Sequence, residues 1–173
     1  VIRSLLTIVF TVIGMVFIDR IGRRALLRVG SLLMAIFLVV IAIGFSQGTV
    51  SADNSINLPG PWAVIVIVSA YTFFMMYCAT WGVAMWVVIG EIFPNSIRAL
   101  GVALATAANW VGNFLVTTSF PPLRDSIGLP TTHVIYAAMA LLGYIFVRRY
   151  LPETNGVALE NMQAEGAVAD NSR

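Results

Sequence analysis

The chain has 173 residues, 59% of them hydrophobic and only 10% charged, with a formal net charge of +2. Soluble domains carry roughly 45–50% apolar and ~25% charged residues, so this composition excludes an ordinary soluble domain and points to a membrane protein. There is no lysine, and the arginines gather at the ends of apolar runs, a pattern of membrane topology that argues against a nucleic-acid partner.

One histidine and one cysteine, Cys78, cannot build a disulfide, a cysteine–histidine zinc site or a Ser–His–acid triad. No metal, cofactor or catalytic residue is therefore expected. The expected fold is an all-α membrane bundle of about five transmembrane helices, each of roughly 20 apolar residues. The apolar runs cover residues 4–18, 25–45, 62–90, 99–120 and 133–151. The first is short for a span, Val1 is not Met, and no signal-peptide pattern is present, so a truncated first helix of a longer protein is expected.

The connectors alternate in character. Residues 19–24 are short and basic, and residues 46–61 are polar, with Asp53, Asn54, Asn57 and a Pro-Gly-Pro stop. Residues 91–98 are short and charged, and residues 121–132 read as a loop because they hold Pro121, Pro122 and Pro130. Residues 152–173 form a polar tail. Arg20, Arg23, Arg24, Arg28, Arg98, Arg148 and Arg149 share one set of helix ends, which the positive-inside rule assigns to the cytoplasm together with the tail.

The third and fourth runs carry Gly82, Gly90, Asn109, Gly112, Asn113, Thr117 and Thr118, with Trp81, Trp86 and Trp110. Amides in a span need partners or a wet cavity, so these two runs are expected to line any polar lumen. The first, second and fifth runs are more uniformly apolar and are expected to face lipid more. Trp62 and Trp81 read best as interface or packing residues, Cys78 as packing, and His133 as a boundary residue.

Three junctions stand out. Asp19-Arg20-Ile21-Gly22-Arg23-Arg24 is a tight turn between spans; Glu91-Ile92-Phe93-Pro94-Asn95-Ser96-Ile97-Arg98 closes the third run; Pro152-Glu153-Thr154-Asn155-Gly156 follows the last. In this order and spacing they resemble the sugar porter family of the major facilitator superfamily. That family carries an acidic-Arg-x-Gly-Arg-Arg turn, a Glu-x-Phe-Pro-x-x-x-Arg turn two spans later, and a terminal Pro-Glu-Thr-Lys-Gly. Asn109-Trp110 with Asn113, beginning eleven residues after Arg98, fits the family's next helix.

The resemblance implies helices eight to twelve of a twelve-helix transporter, a partial C-terminal bundle. Its implied partners are a sugar or polyol, the lipid bilayer and an N-terminal half. The implied site is Trp86 stacking on sugar, with Asn109, Trp110, Asn113 and Gly82 beside it. Asp19, Arg23, Arg24, Glu91, Arg98 and Glu153 are expected to form one charge network. Two departures matter. Trp81-Gly82-Val83-Ala84-Met85-Trp86 lacks the proline that usually flexes the tenth helix, and Asn155 replaces the terminal lysine.

Overall fold

The structure, a computed structural model, describes residues 2–50 and 56–151. Its helices are α1 (Ile2–Ile21), α2 (Arg23–Ser46), α3 (Trp62–Ala79), α4 (Trp81–Ile92) and α5 (Arg98–Tyr150). A short antiparallel pair, β1 (Thr49–Val50) with β2 (Ile56–Asn57), lies in the connector after α2 and sets Thr49 opposite Asn57. Arg23–Ser46, Trp62–Ile92 and Arg98–Tyr150 are each long and apolar enough to cross a membrane. Helices suit that medium because they satisfy every backbone N–H and C=O within the segment.

The fourth and fifth runs are one helical stretch folded back on itself. Gly128 is the fold, with φ 81° and ψ 161°. Phe120 stacks on Tyr136 at 6.3 Å, and the Tyr136 hydroxyl donates to the Val116 carbonyl at 3.4 Å, so the two arms run side by side. The expected loop at 121–132 is thus mostly helix. Pro130 falls in the first turn of the second arm, where a missing N–H costs no ladder bond. Pro121 and Pro122 lie inside the first arm, and nearby the Ser126 hydroxyl donates to the Pro122 carbonyl at 2.6 Å.

A side chain is strongly disfavoured at the Gly128 dihedrals. Gly128→Ala is expected to cost about 1–3 kcal/mol, read as a lower thermal midpoint in detergent. An unchanged midpoint would mean that the reversal does not need this backbone geometry.

The third run is two helices rather than one. Thr80 breaks it at φ −119° and ψ −80°, so the flexure persists without the family's proline, and α4 runs on to Ile92. The Thr80 hydroxyl donates to the Met76 carbonyl at 2.6 Å. Two glycines cradle the break. A Cβ on Gly14 of α1 would overlap the Ala79 carbonyl, and one on Gly30 of α2 would overlap the Thr80 side chain. Small residues let helix backbones approach this closely where water supplies no hydrophobic drive.

Helix α2, expected to face lipid, is instead the hub of the bundle. Leu26, Leu27, Gly30, Ser31, Met34, Ala35, Leu38, Ile41, Ala42 and Gly44 are all buried on it. These positions recur at intervals of three and four, so they form a stripe against neighbouring helices, and Gly44 receives Val66 of α3. The first arm of α5 is the reverse case: Leu100, Leu104, Trp110, Val111, Phe114, Leu115 and Val116 are all uncovered by this chain.

Candidate functional site

The arginine-rich ends of the helices converge. Beneath them Ile18, Leu26, Leu27, Ala84, Val88 and Val147 form one buried cluster drawn from α1, α2, α4 and the second arm of α5. The cluster brings the turn at Gly22, the end of α4 and the end of α5 to one level. There Arg23 Nη2 donates to Glu91 Oε1 at 2.9 Å, with the side chains 13% and 28% exposed. Arg24 Nη2 donates to the Arg148 carbonyl, where the last carbonyls of a helix favour a cation. Arg98 Nε donates to the Phe93 carbonyl at 3.3 Å, spanning its own turn.

The structure therefore joins Arg23 to Glu91 and sets Arg24 and Arg98 on neighbouring carbonyls. The side chain of Asp19 and the whole of Glu153 lie outside the described residues. Arg24 Nε and Arg98 Nη2 are buried with no hydrogen-bond partner among the described residues.

The sugar-facing candidates sit on two elements. Gly82 and Trp86 are on α4, four residues apart and so on one face, with Gly82 half-buried and Trp86 42% exposed. Asn109, Trp110 and Asn113 are on the first arm of α5. Trp110 is 68% exposed, and Asn113 turns its amide back onto the Asn109 carbonyl at 3.0 Å. Asn109 is half-buried, and its own amide makes no hydrogen bond within the described residues.

None of these five lines the cavity of about 880 Å³ that lies between α2, α3 and the two arms of α5. That cavity is almost wholly apolar, its polar atoms coming from Ser31, Tyr77, Trp81, Ser119, His133 and Tyr136. His133 is set between Phe45 at 5.3 Å and Phe120 at 6.3 Å, with Nδ1 2.8 Å from the Leu129 carbonyl. Its contacts are apolar rings and a carbonyl, and it lines the cavity.

One polar link escaped the sequence reading. Trp81 Nε1 donates to the Ser31 hydroxyl at 2.9 Å, and Ser31 in turn donates to the Leu27 carbonyl at 2.8 Å. Trp81 does pack, as expected, but through a specific partner fifty residues away. The one cue was a serine inside an apolar run, which does not name its partner.

Comparison with known proteins decides the family. Residues 1–165 match the family described as sugar (and other) transporter. The chain belongs to that family, the sugar porters of the major facilitator superfamily. The glucose transport protein of Synechocystis is 35% identical over 162 residues, covering 94% of this chain and 34% of the relative. The D-xylose-proton symporter of Escherichia coli is 31% identical over 170 residues, covering 95% of this chain and 32% of the relative. Among solved structures, the inward open conformation of the xylose transporter XylE from E. coli superposes with a TM-score of 0.78 at 30% identity. That superposition covers 94% of this chain and 34% of XylE. The chain thus spans about a third of the length of the sugar porters it matches.

Proposed function

We propose that this chain is the C-terminal part of a secondary transporter that moves a sugar or polyol across a membrane by alternating access. The observation that carries the reading is the superposition of nearly the whole chain on a xylose transporter at 30% identity. In such folds the substrate sits near the midplane between two repeats, which rock against each other. The Arg23–Glu91 end faces the cytoplasm, where its charge network closes the path. Asn109, Trp110 and Trp86 face the other half of the protein, and that is why this chain leaves them uncovered.

The chemistry of these side chains suits a sugar. Hydroxyls need amide donors and acceptors, and the apolar C–H face of a pyranose needs a flat ring. Asn109 supplies the first and Trp86 the second. The Asn109 amide, with no partner among the described residues, is available to a ligand. The relatives named above carry glucose and xylose, and the substrate here is of that class.

Uptake of labelled glucose and xylose into proteoliposomes by the full-length protein tests the reading. Saturable, stereospecific uptake supports it; sugar binding without movement would make the protein a sensor. In the same protein, Trp86→Ala and Asn109→Ala are each expected to weaken sugar binding by roughly 1 kcal/mol, a several-fold rise in Kd by calorimetry. Unchanged affinity in both variants would move the site elsewhere.

A further inference from the structure

The short helix α4 carries three groups with distinct tasks: Trp81 at its first position, Trp86 near its middle and Glu91 near its end. Both polar ends of α4 are fastened to α2. Trp81 reaches Ser31 at 2.9 Å, and Glu91 reaches Arg23 at 2.9 Å. The two helices run antiparallel, so the pairs fall in register along them, like two pins through the same pair of rods.

The environments of the two pins differ. Glu91 lies at the arginine-rich end, 28% exposed. Ser31 is 1% exposed and Trp81 is partly buried, so the second pin lies deeper in the bundle, beside the helix break. A broken helix in an apolar surrounding needs something to fix it, because rotation about the break leaves the backbone ladder of α4 intact. At Thr80 the backbone is non-helical and the ladder is only partial, with the Thr80 N–H on the Met76 carbonyl at 3.0 Å and the Ala84 N–H on the Thr80 carbonyl at 2.8 Å.

Five residues separate Trp81 from Trp86, which is about 140° of helical turn at 3.6 residues per turn. A Trp81 ring held against α2 therefore aims the Trp86 ring away from it, and Trp86 is indeed uncovered.

We infer that Trp81, through its hydrogen bond to Ser31, is a positioning residue that sets the rotation of α4 about the Thr80 break and so aims Trp86. The pin itself rests on the geometry alone; its consequence for sugar rests on the transport reading above. Trp81 does not touch the substrate. It acts through α4.

The test uses the full-length protein with Cys78→Ala and spin labels on Val68→Cys and Gly90→Cys, one on each side of the break. Val68 is exposed on α3, and Gly90 has open space where a side chain would begin. Trp81→Phe keeps the ring and deletes the N–H, whereas Ser31→Ala removes a single oxygen and leaves the fold intact even if the tryptophan variant is unstable. Without sugar, the parent is expected to give one narrow distance distribution. Each single variant should broaden it equally, and the double variant should broaden it no further, as two halves of one interaction must.

Sugar affinity should fall about two- to tenfold in each single variant and no further in the double, the loss of one neutral hydrogen bond. An unchanged distribution in both single variants overturns the pin, whatever sugar does. So does a broadening that adds up in the double variant, or a lowered thermal midpoint with unaltered distances. A broadened distribution in a protein whose parent binds no sugar upholds the pin and sinks the transport reading instead.

Discussion

Gly30→Leu is expected to abolish the native packing of α2 against the α3–α4 break, giving little or no monodisperse protein after extraction in detergent. A Cβ at residue 30 already overlaps the Thr80 side chain, and a leucine adds three more carbons. Thr80 cannot step aside. It is 5% exposed, its hydroxyl is held by the Met76 carbonyl at 2.6 Å, and its backbone is the break itself. Overpacking of even a few methylenes costs about 1–3 kcal/mol, and a clash with a clamped neighbour falls at the upper end or beyond. Against a total stability of about 5–15 kcal/mol, that is a large share.

Gly30→Ala is the milder probe. It should lower the thermal midpoint, and pairing it with Thr80→Gly should recover part of the loss, because the overlapping atoms are gone. If Gly30→Leu yielded wild-type amounts of protein with an unchanged midpoint, the close approach of α2 to the break would be wrong.

The second large effect concerns the arginine-rich end. In Glu91→Gln the side chain keeps its shape and loses its charge, so the Arg23 guanidinium loses a charge-assisted bond at 2.9 Å. Such bonds contribute about 1.5–3 kcal/mol when partly buried. If the pair is made only while that end is closed, losing a contribution of that size would shift the ratio of closed to open protein by tenfold or more.

The measurement is the labelling rate of Ala105→Cys, on the first arm one turn toward the arginine-rich end from Asn109, in a Cys78→Ala background. Reagent added from the side of the arginine-rich end should react faster in the glutamine variant. An exposed pair acting only as a topology anchor contributes ~0–1 kcal/mol, and the rate would then stay unchanged. That outcome, with expression and orientation intact, would remove the gate from the proposed mechanism.

Much of the architecture was legible before any coordinates. Run length and hydropathy alone determined a helical membrane protein of about five passes. Residues in hydrocarbon must satisfy their backbone within the segment, and the number of apolar residues needed to cross is set by bilayer thickness. The junctions at residues 19–24 and 91–98 carried the family resemblance, because their charged, glycine and proline residues form ordered motifs that apolar runs do not. The same junctions foretold the meeting of Arg23 with Glu91, since topology puts both at one level.

Other features only the tertiary structure decided. Pro121, Pro122 and Pro130 suggested a loop, yet one residue of positive φ, Gly128, suffices to reverse the chain, and a proline in a first turn costs no hydrogen bond. The third run breaks at Thr80 without a proline, at the point where Gly14 and Gly30 of two other helices pack closely on it. Helix α2 looked like a lipid-facing span, because hydropathy cannot separate a helix surrounded by protein from one surrounded by lipid when both media are apolar. The link between Trp81 and Ser31 joins residues fifty positions apart, and no period or spacing in a sequence reports a contact of that kind; it exists only once the helices have chosen their neighbours.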